Sequence, residues 1–394
     1  MEHSKKPTFL ECMSRITDPR KPYNQLHVFL DIVAIAVLAT LCCADTWNEI
    51  ESWGKACQEW LSTFLTLENG IPSHDTFNRV FQLIDPEEFH RIFLEWIQEA
   101  VAEIKGVVSI DGKTIRRSRD GKNNQKAIHV VSAWAGELSL VLGQEKVEEK
   151  TNEIKAIPEL LKKLAVEGCT VTIDAMGTQK KIAGQIIDQK ADYILQVKGN
   201  QETLESEISE YFEKEIFPKK KTELEGRGMY FKEICKDHGR LETREYYIEK
   251  EIRWMRDALK EWKGLSGIGA CRATIEENGS VTTNTSYAIF SGQEMTAEKY
   301  GKCKRSHWQI ENSLHWCLDI AFNEDQSRIR KGYAAENMNI LRHMCLNMLK
   351  QETTCKMGIK GKRKKCGWDH GYLIKVLESF VVQADRYLKI QTAV

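Results

Sequence analysis

The chain carries no excess of charge. Its 394 residues hold 57 Lys plus Arg against 57 Asp plus Glu. A global field for nucleic acid or membrane is therefore absent, and any polyanion site must be a local cluster. Its twelve cysteines contain no CxxC pair and no spacing of a zinc site, so they read as reduced core residues. The longest apolar run, residues 28–44, is short for a span and carries Asp31, which points to a buried helix and no membrane partner. The opening MEHSKKPTFLEC has two lysines with no apolar stretch behind them, so no secretory leader is expected and a cytoplasmic location is. No internal repeat is visible. At this length two or three domains are expected, since single cores stop growing near about 250–300 residues.

Four regions differ in pattern. Residues 1–104 read as helices: a buried one from the run above, then WNEIESWGKACQEWLSTF with apolar residues every three or four, then helices opening at Ser73 and Pro86. Residues 105–202 alternate strands and helices. VVSID, AIHVVSAWA and LSLVLGQEKV are strands, the last two joined at Gly136-Glu137, and a helix (152–164), TVTID, a helix (179–189) and ADYILQVKG follow. The order βββαβαβ predicts an α/β fold whose mixed sheet is antiparallel early and parallel later. Residues 203–299 read as a β-rich insertion. Residues 300–394 return to helix, with Trp308, Ile310, Leu314, Leu318 and Phe322 as one apolar face, and a basic loop, KMGIKGKRKK, before the last helix.

Two apolar strands end on a carboxylate, Asp111 in SIDGK and Asp174 in TIDAMG. Ligands gather at the carboxyl ends of parallel strands. If the two strands are neighbours, like charges lie side by side, which is unfavourable unless a cation sits between them. Hard oxygen ligands favour Mg2+ or Mn2+ over zinc. Taken singly, each Asp also suits a turn, Asp111 through Asp-Gly and Asp174 as a cap for the following helix.

The blocks DPRKPYNQLHVFLDIVAIAVLATLCCADTWNEIESWG, GIPSHDTFNRVF, SIDGKTIRRS, TIDAMGTQKKIA, YILQVKGNQ, HWQIENSLHWCLDIAFNED and SRIRKG together resemble the DDE transposases of bacterial insertion sequences, and among them the H-repeat-associated subfamily. The resemblance implies an RNase H-like (retroviral-integrase-type) core, with an all-helical DNA-binding front domain and the insertion before the last acid. It implies that Asp111, Asp174 and Glu311 of QIEN are the catalytic, metal-binding acids. Two Mg2+ or Mn2+ ions are then expected with DNA bound, for cleavage at the element's ends and transfer into target DNA. Double-stranded DNA is the implied partner, at least a homodimer the implied state on it, and association with the nucleoid the implied location when bound. Where the wider superfamily has a Tyr, an Arg and a Lys around the glutamate, this chain has Lys304, His307 and Leu318. His307 is then the expected phosphate contact in place of the arginine. Two other functions stay open: an RNase H-like nuclease without joining, and an immobile relic that only binds DNA.

Local basic clusters are the expected backbone contacts. One holds Lys113, Arg116, Arg117, Arg119, Lys122 and Lys126; another holds Arg328, Arg330 and Lys331; a third holds Lys356, Lys360, Lys362, Arg363, Lys364 and Lys365. Lys198, closing the fifth strand, points toward the same crevice as the acids. Trp254 and Trp262 read as core, His129 as a strand residue, and Glu324 with Asp325 as a helix end or a partner for Arg328.

Overall fold

Nine strands form one mixed sheet in the computed structural model, which describes residues 9–101, 104–119, 126–147, 153–237 and 240–391. Lys122 lies outside them. The strands are β1 (Val107–Thr114), β2 (His129–Ala135), β3 (Leu140–Val147), β4 (Thr170–Ile173), β5 (Asp192–Val197), β6 (Tyr230–Asp237), β7 (Arg240–Glu249), β8 (Leu265–Glu277) and β9 (Ser280–Ser291). Their order is β3-β2-β1-β4-β5-β9-β8-β7-β6. β1 pairs antiparallel with β2 and parallel with β4, and β4 parallel with β5, as the βββαβαβ pattern requires. The 203–299 segment does not stand apart. Its four strands prolong the sheet, with β9 hydrogen-bonded along Ile194–Val197 of β5.

Helices cover this sheet. The described part of residues 9–100 is helical, and its apolar faces join the sheet and the helix Ala334–Gln351 in one hydrophobic cluster. Helix Phe29–Leu41 is buried at all but one of its 13 positions. Asp31 is tolerated there because its carboxylate accepts the backbone N–H groups of Thr66 and Leu67, the latter at 3.0 Å. Ser73 and Asp85 cap the helices after them, accepting from Thr76 and Glu87. In the central helix Ala334–Gln351, Asn347 both accepts from the backbone N–H of Val141 and donates to its carbonyl, at 2.8 and 2.9 Å. A side-chain amide thus completes β3 where the next strand would lie. Trp262 is core, and Trp254 stacks on Tyr211 at 4.6 Å between ring centres.

The expected basic loop is instead the helix Ile359–Trp368, and two of its cations point inward. Arg363, fully buried, donates to the carbonyls of Thr40 and Ala321 and to Asp45 at 2.7 Å, with its guanidinium over the Phe322 ring. Lys362 donates to the carbonyls of Leu349, at 2.8 Å, and Glu352. Those carbonyls lie at the C-terminal ends of three other helices, where backbone acceptors lack intrahelical partners and cations are favoured. Lys362 and Arg363 are therefore internal helix caps and are withdrawn from DNA. Lys364 is exposed, and Lys365 is half-buried over the Tyr372 ring. Arg363→Met should lower unfolding stability by about 3–5 kcal/mol, because Asp45 and two carbonyls lose their shared donor; Lys364→Ala should leave it unchanged, and urea unfolding of both variants measures the contrast.

Candidate metal and DNA site

The parallel register of β1 and β4 sets Ile110 opposite Ile173. Asp111 and Asp174 follow these residues and leave neighbouring strands at the same level. Asp111 does not end its strand, however: β1 runs on to Thr114, with Asp111 paired to Ser132 of β2. What ends at Asp111 is the parallel ladder, since β4 stops at Ile173. Gly112 is consequently a strand residue. A Cβ there would stand 2.6 Å from both Glu153 Oε1 and His129 Nε2. Close approach of buried side chains, and not a turn, is what requires this glycine.

The third acid arrives on a helix that crosses the sheet. Thr296 caps it, accepting from the Lys299 N–H, and Ala297–Gln309 is followed by a π-helical turn, Ile310–His315, and then Trp316–Ala321. Such widened turns recur at functional sites. Ile310, Leu314, Leu318 and Phe322 form the buried face as expected, but Trp308 is 60% exposed and does not belong to it. Glu311 stands at the exposed edge. One turn on, buried His315 lies with Nδ1 3.1 Å from Glu311 Oε2 and 3.6 Å from Asp111 Oδ2. One ligand atom from each of Asp111, Glu311 and His315 falls within 4.8 Å of the others. Groups this near can share a divalent ion; the two carboxylates suit Mg2+ or Mn2+, while the imidazole is a softer donor that an all-oxygen site would not include. Asp174 is not in that trio; its carboxylate accepts the Gly177 N–H at 3.2 Å.

Electrostatics bind the acids together. Burial pushes the Asp111 carboxyl up to about 6; His315 opposes the shift, and Asp174 and Glu153 add to it. Asp174 is likewise raised by burial, with Glu153 adding and Lys198 opposing. The hydrogen bond from His315 holds Glu311 below the usual carboxylate range. Glu153 and His315 had no clear signal in the sequence: Glu153 is one of several acids in a charged stretch, and His315 was hidden among helical residues. Glu153 is buried and sits 2.5 Å from His129 Nε2, while His129 Nδ1 meets Thr114 Oγ1 at 2.8 Å. His129 is thus a strand residue and also a partner beneath the acids.

Several expected DNA contacts turn out to be occupied. Lys113 bridges Asp319 at 2.5 Å and Glu324 at 2.8 Å, tying β1 to the crossing helix. Glu324 does not hold Arg328. It is fully buried between Lys113, Asn339 and Arg342; burial alone would raise its carboxyl, but the Lys113 and Arg342 charges bring it down to about 2. His307 faces Thr172 Oγ1 at 3.1 Å, and burial pushes its pKa to about 4, aided by Lys304. A neutral ring brings no charge to a phosphate, so the expected arginine substitute is not supported. Arg116, Arg117, Lys198, Arg328 and Lys331 are exposed. Arg116 pairs with Asp325 at 3.2 Å, and Arg330 Nε donates to the Arg117 carbonyl at 3.0 Å, which sets the 116–119 and 328–331 segments side by side.

The comparisons place this arrangement among enzymes of the transposase class. The model of the transposase DDE domain matches residues 103–348, and that of its associated domain residues 10–97. YncI of Escherichia coli O157:H7 is 42% identical over 376 residues, 94% of this chain and 95% of its own length. The H repeat-associated protein YhhI of Escherichia coli K12 is 38% identical over 372 residues, 93% and 97% of the two chains. Both names carry the word transposase. The chain belongs to the DDE transposase family, alongside its H repeat-associated members. Among solved structures, a piggyBac transposase synaptic complex with hairpin DNA aligns with 97% of this chain and 82% of that one at a TM-score of 0.43 and 11% identity. Among the described residues, no helix is long and apolar enough to cross a membrane.

The raised Asp111 carboxyl has a consequence for stability. Its folded pKa, about 6, lies above the ordinary 3.8, so its contribution is fully present below pH 3.8 and lost as pH rises through 6. In metal-free buffer at pH 8, Asp111→Asn should raise unfolding stability by about 3 kcal/mol, and the gain should vanish by pH 4; denaturant melts at the two pH values test this.

Proposed function

We propose that this chain cuts DNA strands at the ends of its own insertion element and joins them to target DNA, through an RNase H-like core whose catalytic acids are Asp111, Asp174 and Glu311. The reading is supported chiefly by the β1–β4 register, which sets two carboxylates side by side under the helix carrying the third. Mg2+ or Mn2+, as a pair on DNA, would supply Lewis acidity at the scissile phosphate and make water or a 3′-hydroxyl a stronger nucleophile. Asp111 and Asp174 would hold the ions from the sheet and Glu311 from the helix, with His315 as a fourth donor. A cation would also favour the ionised Asp111 carboxylate against the burial, and the nearby Asp174 and Glu153 charges, that raise its pKa.

The remaining residues position DNA. Arg116, Arg117, Arg328 and Lys331 form a basic strip beside the acids, Lys198 lies on their other side, and Lys364 stands on the separate helix Ile359–Trp368. The front helices would bind the element ends, and two copies of the chain would hold a pair of ends together. Purified protein with Mn2+ and labelled DNA bearing the gene's flanking inverted repeats tests the reading. Nicking with joining is expected; nicking alone would make it a nuclease, and a shifted band without nicking a DNA-binding relic.

Asp111→Asn, Asp174→Asn and Glu311→Gln should each abolish nicking and weaken Mn2+ binding measured by calorimetry, with end binding nearly intact; nicking by any of them at the wild-type rate refutes its role. Changing Arg117, Arg328 and Lys331 together to Ala should flatten the log–log salt dependence of duplex binding by about 0.9 for each phosphate no longer neutralised, which titrations between low and moderate salt would record.

A further inference from the structure

On the β5 side of the acids, a cleft of about 420 Å³ opens between the insertion strands and the crossing helix. Four cations line it: Lys198 after β5, Arg244 on β7, and Lys304 and Arg305 on the helix. Two carboxylates, Glu205 and Glu242, share the lining. Glu242 is engaged with Arg244 Nη2 at 2.5 Å, and Arg305 lies 3.8 Å from Glu233. Among the described residues, Lys198 and Lys304 have no carboxylate within ion-pair distance. Lys304 Nζ donates to the Ser286 hydroxyl at 2.8 Å, and Arg244 Nη1 is buried with no acceptor. Burial and the neighbouring Lys198 both push the Lys304 ammonium's pKa down. Lys198 and Lys304, two like charges at one cavity with no acid paired to either, are stabilised by an anion.

The cleft's other features narrow that anion's identity. Exposed Trp308 stands on the lining, offering an aromatic face, and Thr285, Ser286 and Asn284 supply neutral hydrogen-bonding groups. Lys198 also acts on the Asp174 carboxyl, so the cleft adjoins the proposed catalytic acids. A cavity of this size admits a nucleotide and excludes a duplex. The geometry points to a binding site for one unpaired nucleotide of the DNA strand beside the cleavage point, its phosphate among Lys198, Arg244 and Lys304 and its base on Trp308. Stacking on one aromatic residue strengthens single-strand binding with little regard for sequence. The site rests on the reading of the chain as a DNA-cutting transposase.

The test compares element-end duplexes that are blunt or carry a short single-stranded tail. Wild-type protein should bind the tailed duplex more tightly. Trp308→Ala should lose roughly tenfold on the tail, and Lys304→Met should reduce the salt slope by about 0.7, with blunt binding unchanged in both. Trp308 is exposed and lies outside the residues that position the duplex, so Trp308→Ala decides the matter if Lys304→Met fails to fold. Equal affinity of the wild type for tailed and blunt ends, or tail preference kept in the folded variants, overturns the site and leaves the transposase reading standing. Loss of the preference to millimolar inorganic phosphate, with Trp308→Ala silent, replaces the nucleotide by an anion alone and overturns it as well. Wild-type protein that binds neither duplex removes both the site and the reading beneath it.

Discussion

The parallel pairing of β1 with β4 is the constraint on which the rest of the molecule turns. It forces Asp111 and Asp174 onto neighbouring strands at one level, where burial and mutual repulsion oppose ionisation. The surroundings answer that repulsion from several directions. His315 approaches both Asp111 and Glu311, the Gly177 N–H steadies Asp174, and Lys113 binds the strand of Asp111 to the helix of Glu311 through Asp319. Without β1 and β4 in register the three acids would belong to unrelated surfaces.

Much of this was legible in the sequence because it rests on local periodicity. The alternating runs gave the strands in order, and the apolar positions Ile310, Leu314 and Leu318 gave the buried face of the crossing helix. What escaped depends on distant partners. Nothing local says that the insertion will dock on β5, that Gly112 must admit Glu153 and His129, or that a π-helical turn will carry His315 back beneath Glu311. Trp308 was misplaced for a related reason: its spacing from Ile310 does not decide which side of the helix it takes, and it lies at the surface.

Charge was the least readable property. A run of lysines and arginines has the same composition whether it faces solvent or closes the interior. In KGKRKK, the side chains of Lys362 and Arg363 turn toward carbonyls left open at the ends of three helices that precede them in the chain. Lys113 looked like a phosphate ligand and instead answers Glu324, a buried carboxylate more than two hundred residues away. Arg117, Arg328 and Lys331 keep their charges in the open, and sequence pattern alone does not separate them from the others.

The insertion also settles a problem of sheet margins. β5, DYILQV, is apolar and would be the outermost strand of the sheet if β9 were not bonded to it. An apolar unpaired edge is a template for self-association. With the insertion in place the margin moves to β6, YFKEICKD, where Lys232, Glu233, Lys236 and Asp237 interrupt the apolar residues. A shortened version of the chain, trimmed to its five core strands for convenience, would uncover the wrong margin and aggregate.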